Sequence, residues 1–385
     1  MRLAVIASHP VQYYAPWFRH LAENGFDLRV FYLWDFGTNR RHDPGFGIHL
    51  AWDVPLLEGY AHEFVPNTAS DPGTHHPAGL QNPELLPRVH NWKPDAIVTL
   101  GYSWQSIRDF IRHWNQSDVP LILRGDSHDL ARAPGPRNWA ARMATRWIFR
   151  KFDAFLACGT ANTDYFRRRG ASEDRIFFCP HAIDMDRFQR TSDHSALAAR
   201  LKNEWGVPSH HRVVLFAGKF EMKKRPLDLL QAFQNLSPES WSLVFVGSGE
   251  LDPLLRQKAS TDARVRIVPF ANQSTMPAVY AAADLFVLPS FGPHETWGLA
   301  VQEALACGVP VLVSDHVGCH ADLVQHGRNG NVFRAGHIGS LTSTLADALR
   351  PDHLSAWAAQ ARPSLARHTY AQATDGLKRA VASIP

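Results

Sequence analysis

Glu295-Thr-Trp-Gly-Leu-Ala-Val-Gln-Glu303 follows the apolar run Leu285–Leu288 and the loop Pro289–His294, and its reading decides the fold. Gly298 and the periodic apolar positions Leu299, Ala300, Val301, Ala304 and Leu305 predict a strand, a loop and then a helix that starts near Gly298. Glu295 then stands just ahead of the helix N-terminus, with Glu303 roughly two turns away. A helix start offers unpaired backbone N–H groups and the positive end of a dipole, which suits a phosphate, while nearby carboxylates accept hydrogen bonds from sugar hydroxyls. The stretch predicts a site for a phosphorylated sugar.

Outward from this unit, short apolar runs alternate with helical patterns along the whole chain. Strands are predicted at Leu3–Ala7, Leu28–Leu33, Ala96–Leu100, Pro120–Arg124, Ala154–Cys158 and Arg175–Cys179, and again at Val213–Ala217, Ser242–Val246, Val265–Val268, Leu285–Leu288 and Val309–Val313. Such alternation implies an α/β protein with parallel sheets and right-handed crossovers, in two doubly wound, Rossmann-like halves with a cleft between them. The pattern pauses between Pro180 and Val207, which sets the expected domains at 1–188 and 189–361, with a last helix at about 362–385 packing back on the first. Residues Phe36–Pro94, rich in Pro, Gly and His, read as long loops.

Composition fits a soluble enzyme. A length of 385 residues predicts two to three domains, and 20% charged with 45% hydrophobic residues is ordinary globular usage. A formal net charge of +4 suits anionic ligands or a membrane surface, and the basic residues are scattered rather than interleaved with aromatic repeats, which disfavours nucleic acid. Cys158, Cys179, Cys307 and Cys319 lack CxxC spacing and read as reduced core thiols of a cytoplasmic protein. Leu3–Ala7 is too short for a signal peptide, and no apolar stretch approaches the ~20 residues that span a bilayer. Peripheral contact with the inner face of a membrane stays open.

Several segments carry candidate chemistry. Gly218-Lys-Phe-Glu-Met-Lys-Lys-Arg-Pro226 follows a strand and opens a helix at proline, so Lys219 and Lys224 sit at the C-terminal edge of a parallel sheet, where α/β folds bind ligands. Two cations there would stabilise a diphosphate leaving group; the bland alternative is a solvated basic loop. Gly247-Ser-Gly249 permits close approach of a ligand, although GxG alone is also an ordinary strand-to-helix turn. Asp184-Met-Asp186 has the form of a metal-holding Asp-x-Asp, but its place at the domain junction favours a hinge or cap. His75-His76 and His210-His211 lack zinc spacing, and no essential metal is expected. On the first half, His128 in Arg124-Gly-Asp-Ser-His-Asp129 is a candidate to orient a sugar or move a proton, or else a structural histidine, and Arg124 reaches the cleft beside it. The loop Ser8–Pro16 brings His9, Gln12 and Tyr13 to the same cleft. Arg142, Arg146 and Arg150, at helical spacing beside Trp139, Met143 and Trp147, form either a membrane-surface helix or a domain helix with one solvated basic stripe, and the second is the simpler reading.

Taken together, Gly218-Lys219 with Lys224, Gly247-Ser-Gly249, Pro289-Ser290 followed by Glu295-x7-Glu303, and Ala306-Cys-Gly-Val-Pro310 resemble glycosyltransferase family 4, retaining enzymes of the GT-B fold. The resemblance is specific over the second half and loose over the first. It implies a sugar transfer from a nucleotide diphosphate donor, UDP- or GDP-linked, to a glycan- or lipid-linked acceptor, with no cofactor beyond the donor. It further implies that Glu303 holds the ribose, Lys219 and Lys224 the diphosphate, the backbone of Trp297, Gly298, Leu299 and Ala300 lies nearby, Glu295 meets the transferred sugar and Phe270-Ala271 the base. Two positions depart from the family: Lys219 stands where many relatives have arginine, and His9-Pro10 where many carry Gly-Gly. A sugar-nucleotide epimerase and a non-catalytic nucleotide-sugar-binding protein are the alternatives.

Overall fold

The computed structural model describes residues 1–43, 45–114, 118–131, 135–237 and 239–384. Its strands are β1 (Arg2–Ala7), β2 (Asp27–Tyr32), β3 (Arg41–Asp43), β4 (Ile48–Leu50), β5 (Ala61–Phe64), β6 (Ala96–Leu100), β7 (Leu121–Gly125), β8 (Ala154–Ala157) and β9 (Ile176–Phe178), then β10 (Arg212–Ala217), β11 (Trp241–Val246), β12 (Val265–Val268), β13 (Leu285–Leu288), β14 (Val311–Ser314) and β15 (Gly330–Phe333). Two parallel sheets result, one in the order β5-β2-β1-β6-β7-β8-β9 and the other β12-β11-β10-β13-β14-β15. Strands such as β11 are buried at every position, so they read as continuous apolar runs rather than alternating ones, as helices on both faces require. Strand order reverses between β1 and β6 and between β10 and β13, and each reversal opens a crevice at the carboxyl ends of the strands.

The expected pair of doubly wound sheets is present, and four strands are additional to the expectation. Residues 36–94 are not plain loops: they hold the antiparallel hairpin β3–β4, strand β5 and the helix Leu85–Trp92. These strands escaped notice because Arg41-His-Asp43 and Ala61-His-Glu-Phe64 are short, polar and partly exposed, so they carry no buried periodicity. β15 is likewise masked by its Gly-Asn start.

The helix Tyr370–Ala382 lies on the first sheet, where Ala373, Leu377 and Ala380 join the core of Trp17, Phe18 and Leu21. A Cβ at Gly376 would fall 2.1 Å from the Phe178 carbonyl oxygen, so the close approach of this helix to β9 depends on glycine. The four cysteines are buried and unbridged. Among the described residues no helix is long and apolar enough to cross a membrane. The helix Pro136–Phe149 departs from the simpler reading of it: Phe149 is its one buried side chain among those described, and Trp139, Met143 and Trp147 face outward.

Candidate active site

The carboxyl edge of the second sheet supplies most of a cavity of about 360 Å³ between the two halves. After β10 come Gly218 and Lys219; after β11, Gly247; after β12, Phe270 and Ala271; after β13, Glu295 and then Trp297, Gly298, Leu299, Ala300 and Glu303. Lys224 enters from the short turn Met222–Lys224. Gly298 has φ 95 and caps the helix Leu299–Ala306; a Cβ there would also meet Val317 at 2.7 Å, so this entry angle requires glycine. Gly247, at φ 149, lies so close to β10 that a Cβ would be 2.0 Å from the Gly218 oxygen. Gly249 does not line the cavity and instead packs against the Phe220 backbone.

The charged groups are already paired. Lys224 Nζ donates to Glu295 Oε2 at 2.5 Å, and Ser290 Oγ donates to the same oxygen at 2.8 Å. Burial alone would raise the Glu295 carboxyl, but the Lys224 charge and these hydrogen bonds hold it below its ordinary value. Glu303, only 3% exposed, accepts from Tyr280 at 2.7 Å and from Tyr13 of the first half at 3.2 Å. Burial dominates there and raises its pKa, against the pull of Tyr280, Arg187 and Tyr13. Lys219 Nζ donates to Asp43 Oδ1 at 2.9 Å and lies 4.8 Å from the Phe46 ring centre.

Asp43 and Phe46 belong to the β3–β4 hairpin, which crosses from the first half onto the second. Ser248 Oγ donates to the Phe46 carbonyl at 2.7 Å, the Phe46 and Phe270 rings lie 4.6 Å apart, and Asn272 donates to the Ala51 carbonyl at 2.8 Å. Asp43, Phe46 and Trp52 therefore line the cavity with Gln12 and Tyr13, while Asp126 and His181 complete the first half's wall. Thr296 Oγ1 donates to Asp126 Oδ2 at 2.8 Å, and His181 Nε2 lies 3.8 Å from the same oxygen, too far for a hydrogen bond. Burial would raise the Asp126 carboxyl, yet His181, Thr296 and Arg124 hold it below its ordinary value.

The other residues expected on the first half are placed differently. His128 is 1% exposed and does not line the cavity: its Nδ1 accepts from Leu130 N at 3.3 Å, so Nε2 carries the proton and donates to the Glu295 carbonyl at 3.0 Å. That geometry joins the two halves and leaves neither ring nitrogen aimed at a sugar. Arg124 spans Cys179 and Pro180 carbonyls and stacks 4.8 Å from the Trp17 ring centre. His9 and Arg124 line a separate cavity of about 220 Å³ on the first sheet's edge, with Tyr102, Trp104 and Tyr165; Asp126 borders both cavities. Burial pushes the His9 imidazole down to about 4, against the opposing charge of Asp43.

Asp43, Phe46, Trp52, Asp126, His181, Gln273, Met276 and Tyr280 are cavity residues that sequence reasoning missed. Asp126 alone had a signal, two residues beyond β7 at a sheet edge; the hairpin residues reach the site only through tertiary contact. Asp184 of the Asp-x-Asp accepts from the Arg187 backbone at 3.0 Å. His75 and His76, which lack zinc spacing in sequence, converge on Asp71 at 3.1 and 3.2 Å, and this trio, with Asp71 and His75 exposed and His76 partly buried, is the one His/Cys/Asp/Glu group among the described residues able to share a metal ion. It lies outside the cavity.

Two family models match, one described as glycosyl transferases group 1 over residues 198–362 and one as glycosyl transferase 4-like domain over residues 10–182. The chain belongs to the group 1 glycosyl transferases. The D-inositol 3-phosphate glycosyltransferase of Xylanimonas cellulosilytica is 33% identical over 216 residues, covering 51% of this chain and 50% of that protein. The N-acetyl-alpha-D-glucosaminyl L-malate synthase of Bacillus anthracis is 28% identical over 157 residues, 40% of each. The chain thus spans about half the length of the relatives it matches. Among solved structures, Anabaena Alr3699/HepE in complex with UDP and glucose aligns over 100% of both chains with a TM-score of 0.74 at 18% identity. The sucrose-phosphate synthase from Thermosynechococcus elongatus aligns over 98% of both with a TM-score of 0.72 at 17% identity. The fold of this group 1 transferase is therefore GT-B.

Proposed function

We propose that this chain is a retaining glycosyltransferase that moves a sugar from a nucleoside diphosphate to a hydroxyl of a glycan, glycolipid or similar acceptor. Residues 189–361 bind the donor, and residues 1–188 present the acceptor. The observation that carries the reading is the convergence of Lys219, Lys224, Glu295, Glu303 and the Leu299–Ala306 helix start on one cavity at a sheet edge.

In this reading the diphosphate lies between the two lysines and the first backbone N–H groups of that helix, which have no partner within it. Phe270 and Ala271 meet the base, and Glu303 holds the ribose, with Tyr13 and Tyr280 fixing its carboxylate. As the bond to the sugar breaks, charge grows on the leaving phosphate, and the lysines and helix dipole stabilise it there. Glu295, anchored by Lys224 and Ser290, positions the sugar. The acceptor hydroxyl enters on the face the diphosphate leaves, from the smaller cavity lined by His9 and Arg124, with Asp126 at the border between the two. His128 acts as a positioning residue through the Glu295 carbonyl.

The relatives named for glycosyl transfer and the UDP and glucose held by the Anabaena neighbour support a nucleotide-sugar donor. A panel of UDP- and GDP-sugars read by thermal shift tests binding, because a ligand that binds the native state raises the melting temperature. Mass spectrometry of products then separates transfer from epimerisation, and binding with no turnover across acceptors marks a non-catalytic protein. Lys224→Ala or Glu303→Ala should abolish turnover in a folded protein; normal turnover in either sinks the assignment.

A further inference from the structure

Eight large apolar side chains are exposed among the described residues, and four of them, Leu130, Trp139, Met143 and Trp147, fall in one short stretch. Trp139, Met143 and Trp147 are 64%, 48% and 52% exposed and recur every four residues, so they form a stripe along the helix Pro136–Phe149. Arg142, Arg146 and Arg150, all exposed, form a second stripe with the same spacing, offset by one residue. Residues 130–152 contain six Arg and Lys and no Asp or Glu. Tryptophan exposed on this scale has no use in water, and a contiguous apolar patch rimmed by charge of one sign marks a docking surface.

We propose that this helix is a membrane-docking element, laying Trp139, Met143 and Trp147 into the head-group region of a bilayer while the arginines engage anionic lipid phosphates. Tryptophan suits that boundary because its ring is apolar and its N–H polar, and arginine stems extend along the apolar stripe to bring the guanidinium to the phosphates. The charge specifies the partner: a stripe free of carboxylates matches an anionic lipid surface, whereas a second copy would set the same arginines against one another. The helix also has a place relative to the cleft. Its buried Phe149 packs 5.6 Å from the Tyr102 ring centre and 6.4 Å from that of Tyr165, and both tyrosines line the smaller cavity. If the transferase reading holds, docking sets that cavity beside the bilayer, and the acceptor is carried on a lipid.

The test is co-sedimentation of the full chain with vesicles of phosphatidylcholine alone and of phosphatidylcholine mixed with phosphatidylglycerol, together with tryptophan emission. Binding to the anionic vesicles, a blue shift and weakening by salt are expected. Arg142→Gln with Arg146→Gln should weaken binding by about 30-fold, since each basic residue near such a surface contributes roughly a factor of five. The triple variant Trp139→Ser, Met143→Ser, Trp147→Ser should abolish the emission shift. Unchanged melting of the variants and an unchanged nucleotide-induced thermal shift show intact folding, and because they read the other cleft wall they keep this proposal separable from the donor assignment. No binding to anionic vesicles, or equal binding by the triple variant, overturns the proposal. So does a wild-type dimer that the triple variant turns into monomer, which would assign the stripe to a second copy.

Discussion

Asp43 sits where a donor phosphate would be expected, on Lys219, and Asp43→Asn isolates that competition. The substitution keeps Oδ1, which also accepts from the backbone N–H of Gly45 at 2.8 Å and of Phe46 at 3.0 Å, so the hairpin turn survives while the charge disappears. At the observed 2.9 Å, the bare attraction to Lys219 is about 6 kcal/mol for an effective dielectric of about 20. Lys219 is 31% exposed, so hydration of its ammonium offsets most of this, and a net of about 1–2 kcal/mol is the reasonable scale for a half-desolvated, charge-assisted hydrogen bond. A nucleoside diphosphate must spend that energy to take Lys219 from Asp43. Removing the carboxylate should therefore tighten UDP or GDP binding by about 5- to 30-fold. Titration calorimetry of wild type, Asp43→Asn and the double variant with Lys219→Ala measures it, and the gain should vanish in the double variant. Weaker binding in Asp43→Asn refutes the reasoning, because it would mean that Asp43 orients Lys219 for the phosphate instead of competing with it.

Acid stability should carry two separable windows. His9, with its pKa pushed down to about 4, is neutral when folded, so its contribution is full above the ordinary 6.5 and is lost as pH falls toward 4; His9→Gln should flatten that part of a denaturant–pH series. Glu295 is held below its ordinary 4.5, so its contribution is full above 4.5 and is lost as pH falls further; Glu295→Gln should lose stability at neutral pH, and the gap from wild type should close in acid. Gly247→Ala forces a Cβ against the Gly218 oxygen and should lower stability by more than about 2 kcal/mol in urea melts, with any cost under 0.5 kcal/mol arguing against the close strand contact. Asp322 reaches across the cleft to accept from Thr160 N and Oγ1 at 3.0 and 2.8 Å, capping the helix Thr160–Arg168 from the other half. Asp322→Ala should loosen the closed pair of halves, visible as a larger radius of gyration in small-angle scattering while both sheets stay folded.

The second half was the more legible because its site is local. Glu295, Gly298 and Glu303 lie on one strand–loop–helix unit, and each glycine marks a φ or a close approach that sequence pattern encodes. The first half was harder: Arg41–Asp43 is a short polar strand of a hairpin whose Asp43 meets Lys219 and whose Phe46 meets Ser248 and Phe270, none of which is near it in sequence. His128 shows the same limit, since nothing in Asp-Ser-His-Asp indicates that its ring turns toward the Glu295 carbonyl and away from the cavity.

By itself the sequence determined two parallel sheets, the order of the loops along the carboxyl edge of the second, and the family those loops resemble. Apolar period and turn chemistry fix such features because they act within a few residues. Tertiary structure decided which cations are already paired, that the hairpin closes the larger cavity, that Asp126 borders both cavities, and that Trp139, Met143 and Trp147 are left facing outward. Those outcomes depend on which surfaces meet after the sheets have formed, and no local pattern carries that information.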